Sequence, residues 1–236
     1  GLYVDEFDNI FAYTFGAAIR LAQNHGQNYK LPAAIDANLV RVPSRGFKED
    51  NIVGITSLNG LYYVMIYDRQ NMQIIATDGK KSSRRSFRLH EGSYITYGSE
   101  DESPRIQSYA GGIILSAGRR LYVINPERDE ARRIVFEGEN SRRPFAPTKF
   151  DFDGDSTLWI LNKLQGEEFP LVKAYSLHEQ GDHFTTRFET FIPSRKIDFA
   201  SGFMDVAIDR KRNLLGISNL FASEVDIYSL GSLLKD

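Results

Sequence analysis

Apolar and polar residues alternate along most of this chain in short runs, and the runs come in pairs separated by turn residues. The stretch "KFDFDGDSTLWILN" is typical: alternation, then Asp, Gly and Asp, then a second apolar stretch. Similar pairs are "LYVDEFDNIFAYT", "VGITSLNGLYYVMI", "IQSYAGGIILSA" and "MDVAIDRKRNLLGIS". A period of two over a few residues, bounded by Gly, Asn and Asp, predicts β-hairpins. With the first apolar residue after each turn as anchor (Ile10, Leu61, Ile113, Leu158 and Leu214), the units recur at spacings of 51, 52, 45 and 56 residues. The chain is therefore a repeat.

Each hairpin is followed by a third strand-like run: "AAIRLAQ", "MQIIATDG", "RLYVIN", "LVKAYSL" and "EVDIYSL". A fourth run follows four times, as "YKLPAAI", "RRSFRLH", "ARRIVFEG" and "FTTRFETFI". A unit of four short strands is a propeller blade. The predicted fold is all-β, a β-propeller of about five four-stranded blades in a single domain over residues 1–236. The blades fall near 1–40, 51–97, 105–138, 147–193 and 202–236. The phase leaves the last blade one strand short, because the chain starts on a first strand and ends just after a third. An open ring leaves strand edges unpaired. The expectation is that residues before Gly1 supply the missing strand, that further residues outside these 236 complete a six-bladed ring, or that the tail "GSLLKD" forms the strand itself.

Laid out this way, "GLYVDEFDNIFAYT", "FDFDGDSTLWIL", "MDVAIDRKRNLLGIS" and "LVKAYSLHEQG" resemble NHL-repeat β-propellers, whose blades read as an apolar strand, Asp, a turn and an aliphatic strand. The resemblance spans most of the chain and implies the fold. It does not imply a function, since one fold hosts many.

The carboxylates Asp151, Asp153 and Asp155 have the spacing with which an EF-hand loop begins. The rest of that loop is missing: Ser156 stands where Gly is needed, Trp159 at the ninth position and Asn162 where a bidentate Glu belongs. A hairpin turn explains "DGD" without an ion, because Asp and Gly tolerate left-handed backbone. No cofactor is expected, and these three carboxylates are the metal candidates. Glu6, Asp205, Asn162 and Asn219 are candidates for a central-channel ion of the kind held by gluconolactonase-like propeller enzymes, but no spacing selects them.

Composition narrows the classes. Hydrophobic residues are 42% and charged residues 25% of the chain, with 12 Tyr, 16 Phe and one Trp, as suits a strand-rich globular protein. A net charge of -2 gives no electrostatic reason to expect nucleic acid. No apolar run approaches the roughly 20 residues a membrane helix needs. The absence of Cys excludes disulfides and thiolate chemistry. It is compatible with the cytosol, and the expectation here is a periplasmic or extracellular protein.

The connections between blades share a pattern. "RVPSRGFKED", "SEDESPRIQS", "ENSRRPFAPT" and "IPSRKIDFAS" place Arg45, Arg105, Arg142 with Arg143, and Arg195 at equivalent points, with Phe47, Phe145 and Phe199 nearby. Propeller geometry puts these loops on one face, together with Arg119 and Arg120 from a loop within blade three. Guanidinium forks suit anionic groups, and aromatic anchors suit protein partners. The competing reading pairs each Arg with a carboxylate such as Asp50, Glu102 or Asp198 to lock neighbouring blades. Basic pairs such as Arg84–Arg85 and Arg132–Arg133 fall on outer strands, where charge discourages edge pairing. There is no Gly-x-Ser-x-Gly, no His-Glu-x-x-His and no phosphate loop, and His25, His90, His178 and His183 sit in or near turns. The expected function is therefore a non-enzymatic binding or scaffold propeller that engages a protein partner, of anionic surface, through its loop-rich Arg and aromatic face, with no catalytic residue assigned. A metal-dependent lactonase-type hydrolase and a calcium-stabilised adhesin-like propeller are the alternatives. Oligomeric state is not legible.

Overall fold

The computed structural model describes residues 2–4, 10–14, 17–21, 37–41, 51–68, 71–78, 82–87, 105–109, 112–117, 120–126, 130–138, 147–154, 156–162, 171–192, 203–219 and 224–233. Strands make up nearly all of them. The first group is β1 (Leu2–Val4), β2 (Ile10–Thr14), β3 (Ala17–Leu21) and β4 (Ala37–Arg41). The second is β5 (Asn51–Leu58), β6 (Leu61–Asp68), β7 (Asn71–Thr77) and β8 (Ser82–Phe87). Then come β9 (Ile106–Tyr109), β10 (Gly112–Ala117), β11 (Arg120–Asn125) and β12 (Glu130–Val135), followed by β13 (Pro147–Phe152), β14 (Thr157–Asn162), β15 (Leu171–Gln180) and β16 (His183–Ile192). The last group is β17 (Phe203–Asp209), β18 (Leu214–Asn219) and β19 (Glu224–Ser229), capped by a one-turn helix α1 (Leu230–Leu233). Five antiparallel meanders thus follow one another; the fourth strand of the first is Ala37–Arg41, and the run "YKLPAAI" expected to form it lies outside the described residues.

Two compact units divide these strands: Gly1–Glu91 with Ile106–Ser108 and Asn125–Ala131, and Gly92–Arg105 with Tyr109–Ile124 and Arg132–Asp236. In the first, β1 to β4 and β5 to β8 form two four-stranded sheets in sequence order. The β5–β6 hairpin closes on Asn59 and Gly60, both at positive φ, so "LNGL" makes the two-residue turn whose twist matches its strands. Ile52, Ile55, Val64, Ile66 and Ile75 form the core, Tyr3 and Tyr62 pack against it, and the Tyr3 hydroxyl lies 2.7 Å from Ser57 Oγ.

The second unit shows how blades stack. Strand β14 is buried on both faces. Leu158 and Ile160 join Ile114, Leu121, Val123, Ile134, Phe150 and Phe152 in one apolar cluster. Trp159 and Leu161, one residue out of phase, join Val206, Leu215 and Ile217 in another. Alternation along one strand therefore supplies two cores, and "TLWIL" reads as a continuous apolar run because both faces are covered.

Two features differ from the prediction. Sheets three and four are fused into one of eight strands, because β12 pairs in parallel with β16 through Ile134 opposite Phe184 and Val135 opposite Thr185. The cause is length: β15 and β16 have 10 residues each, so their hairpin overshoots its own blade and reaches the neighbour. Arg132 fastens it, bonding Glu179 and the Gly181 carbonyl while its guanidinium sits 4.5 Å above the Phe184 ring. In the last group, Leu230–Leu233 is helical where the tail was a strand candidate, and the sheet has three strands among the described residues. A backbone hydrogen bond from Leu230 N to Asn213 O and the buried Leu230 side chain hold this turn against the sheet.

Gly112 begins β10 at a φ of 155°, and a Cβ there would lie 2.6 Å from the Ile124 carbonyl oxygen. Gly138 has a φ of 77° with open space around it. Gly112→Ala should therefore cost about 1–3 kcal/mol by overpacking, a fall in Tm of roughly 5 °C, against a smaller loss for Gly138→Ala. Thermal denaturation followed by circular dichroism checks the order.

Candidate functional site

Of the arginines expected at a partner-binding face, Arg105 and Arg120 lie among the described residues. Arg120 begins β11 and is half-buried. Arg105 stands just before β9, fixed by a two-way tie to Ser116: its N–H donates to Ser116 Oγ at 2.6 Å and its carbonyl accepts from Ser116 N at 2.8 Å. From there the guanidinium reaches across two further blades. Nη1 donates to the Phe150 carbonyl at 2.9 Å on β13 and to the Val206 carbonyl at 3.1 Å on β17, and Nη2 bonds Asp205 Oδ2 at 2.7 Å. One side chain therefore links three blades. This is the blade-locking geometry weighed for these arginines, with Asp205 as the carboxylate partner rather than Asp50, Glu102 or Asp198. Arg45, Phe47, Arg119, Arg142, Arg143, Phe145, Arg195 and Phe199 lie outside the described residues.

The carboxylates of "DFDGDS" have the same kind of employment. Asp151 is buried, and its two oxygens accept from Phe152 N at 2.7 Å and from Ile208 N at 2.8 Å on the next blade. Arg210 completes the tie by donating from Nε to the Phe152 carbonyl at 2.9 Å. Burial pushes the Asp151 carboxyl above the usual carboxylate range, against the opposing pull of those two N–H groups and of the Arg210 and Arg105 charges. Asp153 takes Ser156 N at 3.1 Å and Thr157 N at 2.9 Å on one oxygen, as a side chain closing its own turn does. Asp155 is outside the described residues. Asp151 thus serves a blade junction and Asp153 a hairpin turn. Among the described residues no three His, Asp or Glu side chains gather as metal ligands would.

A surface that the sequence reading passed over lies on the outer strand β16. Phe188 and Phe191 are 42% and 51% exposed, and their rings stack with centroids 6.5 Å apart. They are the end of an aromatic row that starts inside the protein: Phe136 meets Tyr175 edge-on at 5.3 Å, and Tyr175 meets Phe188 at 5.8 Å. The backbone beneath is fixed as well. Phe188 N donates to Glu137 Oε2 at 2.7 Å, and Glu137 N donates to Thr186 Oγ1 at 3.2 Å. Beside the pair, Ser176 Oγ donates to Glu189 Oε1 at 2.6 Å and lies 3.0 Å from His178 Nε2. Two large apolar rings are thus presented to water on a hydrogen-bonded backbone frame. Period two does not carry this signal: Phe188 and Phe191 have opposite parity, and they share a face because a bulge between Phe188 and Thr190 shifts the register against Tyr175 and Ala174.

Two outcomes follow from the junction. Arg105→Ala leaves the Phe150 and Val206 carbonyls without these donors, at a cost of about 2 kcal/mol; the Asp205 carboxylate is too solvated to add much. Chemical denaturation should show that loss, with Asp205→Ala costing less. For Asp151 the raised folded-state value means that its protonated form favours the native state. That contribution is complete below the ordinary carboxylate value and is lost as pH rises through the raised one. Asp151→Asn removes the titration, so the stability of the natural protein relative to this variant should grow as pH falls from neutrality towards 4, measured by denaturation at several pH values.

No protein-family model matches this chain, and no curated protein matches it in sequence. Among solved structures, 35 chains match in fold. The β-propeller domain of Myceliophteria thermophila Cps50 (Swd1) superposes with a TM-score of 0.59 at 11% identity, over 99% of this chain and 71% of that one. Apo AztD from Citrobacter koseri gives 0.47 at 12% identity, over 96% of this chain and 57% of that one. At such identities the Swd1 likeness is one of fold. Together with the successive four-stranded meanders and the doubly buried second strand, it makes this chain an all-β propeller.

Proposed function

We propose that this propeller is a non-enzymatic binding module that engages a protein partner at the outer surface around Phe188 and Phe191. The observation that supports this most is the exposed, stacked and rigidly backed aromatic pair. Ordering an exposed side chain on binding costs entropy, on the order of 0.5–1.5 kcal/mol for each one immobilised. Rings already held by Tyr175 and by the Glu137 latch avoid most of that cost, which is the character of an interface anchor. In sequence, Phe191 immediately precedes the connection "IPSRKIDFAS", with its Arg195 and Phe199. The reading is that the aromatic pair anchors the partner and that guanidinium groups of the Arg-bearing connections, Arg45, Arg142 and Arg195 among them, meet its acidic groups.

The hydrolase and calcium readings draw no comparable support. Both oxygens of Asp151 and one oxygen of Asp153 accept backbone N–H groups, and Asp205 is paired with Arg105. Each has a structural employment that explains its place.

Affinity isolation from native extract tests the proposal, with the natural protein, Phe188→Ser/Phe191→Ser and Arg45→Ala/Arg142→Ala/Arg195→Ala as baits. The aromatic variant should melt within a few degrees of the natural protein, since its rings are half in water, and should retain the specific partner at least about tenfold less well. The arginine variant should keep its fold, weaken the same partner and reduce the salt sensitivity of binding. A chelator should leave capture unchanged. Equal retention by all three baits overturns the reading.

A further inference from the structure

Strands β15 and β16 outrun the blade they belong to. Strand β14 pairs with β15 only as far as Thr157 opposite Ser176, and the last tie on that side is the hydrogen bond from Leu177 N to Ser156 O at 3.1 Å. Beyond it the hairpin continues to Gln180 opposite His183. In this overhang His178 to Asp182 are all exposed, whereas Phe184 and Thr186 are buried. The overhang is thus a two-stranded arm with no third strand of its own blade beside it, and a lone hairpin is marginal in water.

What holds the arm is blade three. Ile134 stands opposite Phe184 and Val135 opposite Thr185, a parallel ladder of two register pairs. Phe184 enters the apolar cluster of Ile114, Leu121 and Phe152, and the Arg132 guanidinium lies over its ring while bonding Glu179 and the Gly181 carbonyl. Glu137 makes the remaining ties, its N–H donating to Thr186 Oγ1 at 3.2 Å and its Oε2 accepting from Phe188 N at 2.7 Å. Glu179 is 63% exposed, so its ion pair with Arg132 adds little by charge alone. Among the described residues no other outer strand pairs with a neighbouring blade: β4 and β8 each end a four-stranded sheet. The contact is an addition to the repeat, with its own short list of bonds.

Those bonds also carry the exposed aromatic pair. Phe188 directly follows the overhang; Glu137 holds its N–H, and its ring rests on Tyr175, which meets Phe136 just past β12. We infer that the β15–β16 overhang is a strap, closed on β12 by Phe184, Arg132 and Glu137, which opens as a unit while the blades stay folded, and that the pair is framed for binding only when the strap is closed. Segments held by few buried contacts open at less than the cost of global unfolding. Opening breaks the two-pair ladder, lifts Phe184 from its cluster and takes Glu137 from Phe188 N. The opening belongs to the strap itself, and its effect on binding rests on the proposed role of Phe188 and Phe191.

Hydrogen–deuterium exchange of the natural protein tests this without any partner, so its outcome is separate from that of the affinity isolation. Amides from Phe184 to Phe188 should exchange at least about tenfold faster than those from Leu158 to Leu161 on β14, and Arg132→Ala should speed the first group roughly tenfold further while leaving the second unchanged. A lock guards against a variant that fails to fold. The chain has no Cys, and Val135 and Thr185 are register partners on adjacent strands, whose spacing of about 4.8 Å suits a disulfide. In Val135→Cys/Thr185→Cys, oxidation should slow exchange from Phe184 to Phe188 to the β14 level, and reduction should restore it. A common rate for both groups in the natural protein, equal acceleration of both by Arg132→Ala, a cysteine pair that does not oxidise, or a lock that leaves the strap amides as fast as before overturns the inference.

Discussion

A single blade of this protein cannot bury its own apolar residues, and everything else in the structure depends on that. A twisted meander of three or four strands has two faces, and in β14 both are apolar: Leu158 and Ile160 on one, Trp159 and Leu161 on the other. Burial of each such side chain is worth about 1.5–3 kcal/mol only when a neighbouring sheet supplies the cover. Stability is therefore a property of junctions between blades. The strand in the middle of a blade is where two junctions meet.

The polar ties at these junctions have a different task. Apolar sheet faces slide over one another with little change in buried area, so they fix distance better than register. Arg105, reaching Phe150, Val206 and Asp205 at once, and Asp151, taking Phe152 N and Ile208 N, bond only when three successive first strands stand at one height. Burying Asp151 costs desolvation, which also raises its proton affinity. Backbone donors that would otherwise lack partners compensate for that cost.

Where the junction rule is relaxed, the molecule presents apolar groups to water. The long β15–β16 hairpin leaves its own blade, is fastened by Arg132, and carries Phe188 and Phe191 to the outside on a rigid frame. On the last sheet, Val225 and Ile227 are exposed.

Much of this was legible in the sequence, because side-chain alternation and turn residues act locally. Alternation located the strands, Asn59–Gly60 and the Asp–Gly turn at 153–154 marked hairpins, and the spacing of the anchors made the chain a propeller. The same local chemistry argued correctly that Asp153 closes a turn. What the sequence could not decide was the use of groups whose partners lie far along the chain. Nothing near Arg105 indicates that its charge meets Asp205 and its N–H groups the carbonyls of Phe150 and Val206. Nothing near Asp151 indicates Ile208. Nor could strand propensity show that Leu230–Leu233 turns into a helix, or that β16 would pair in parallel with β12. Those outcomes are set by which sheet edge and which apolar face are free once neighbouring blades have packed. The local pattern determined the strands and their order; long-range packing decided which polar groups became struts and which apolar ones were left to the surface.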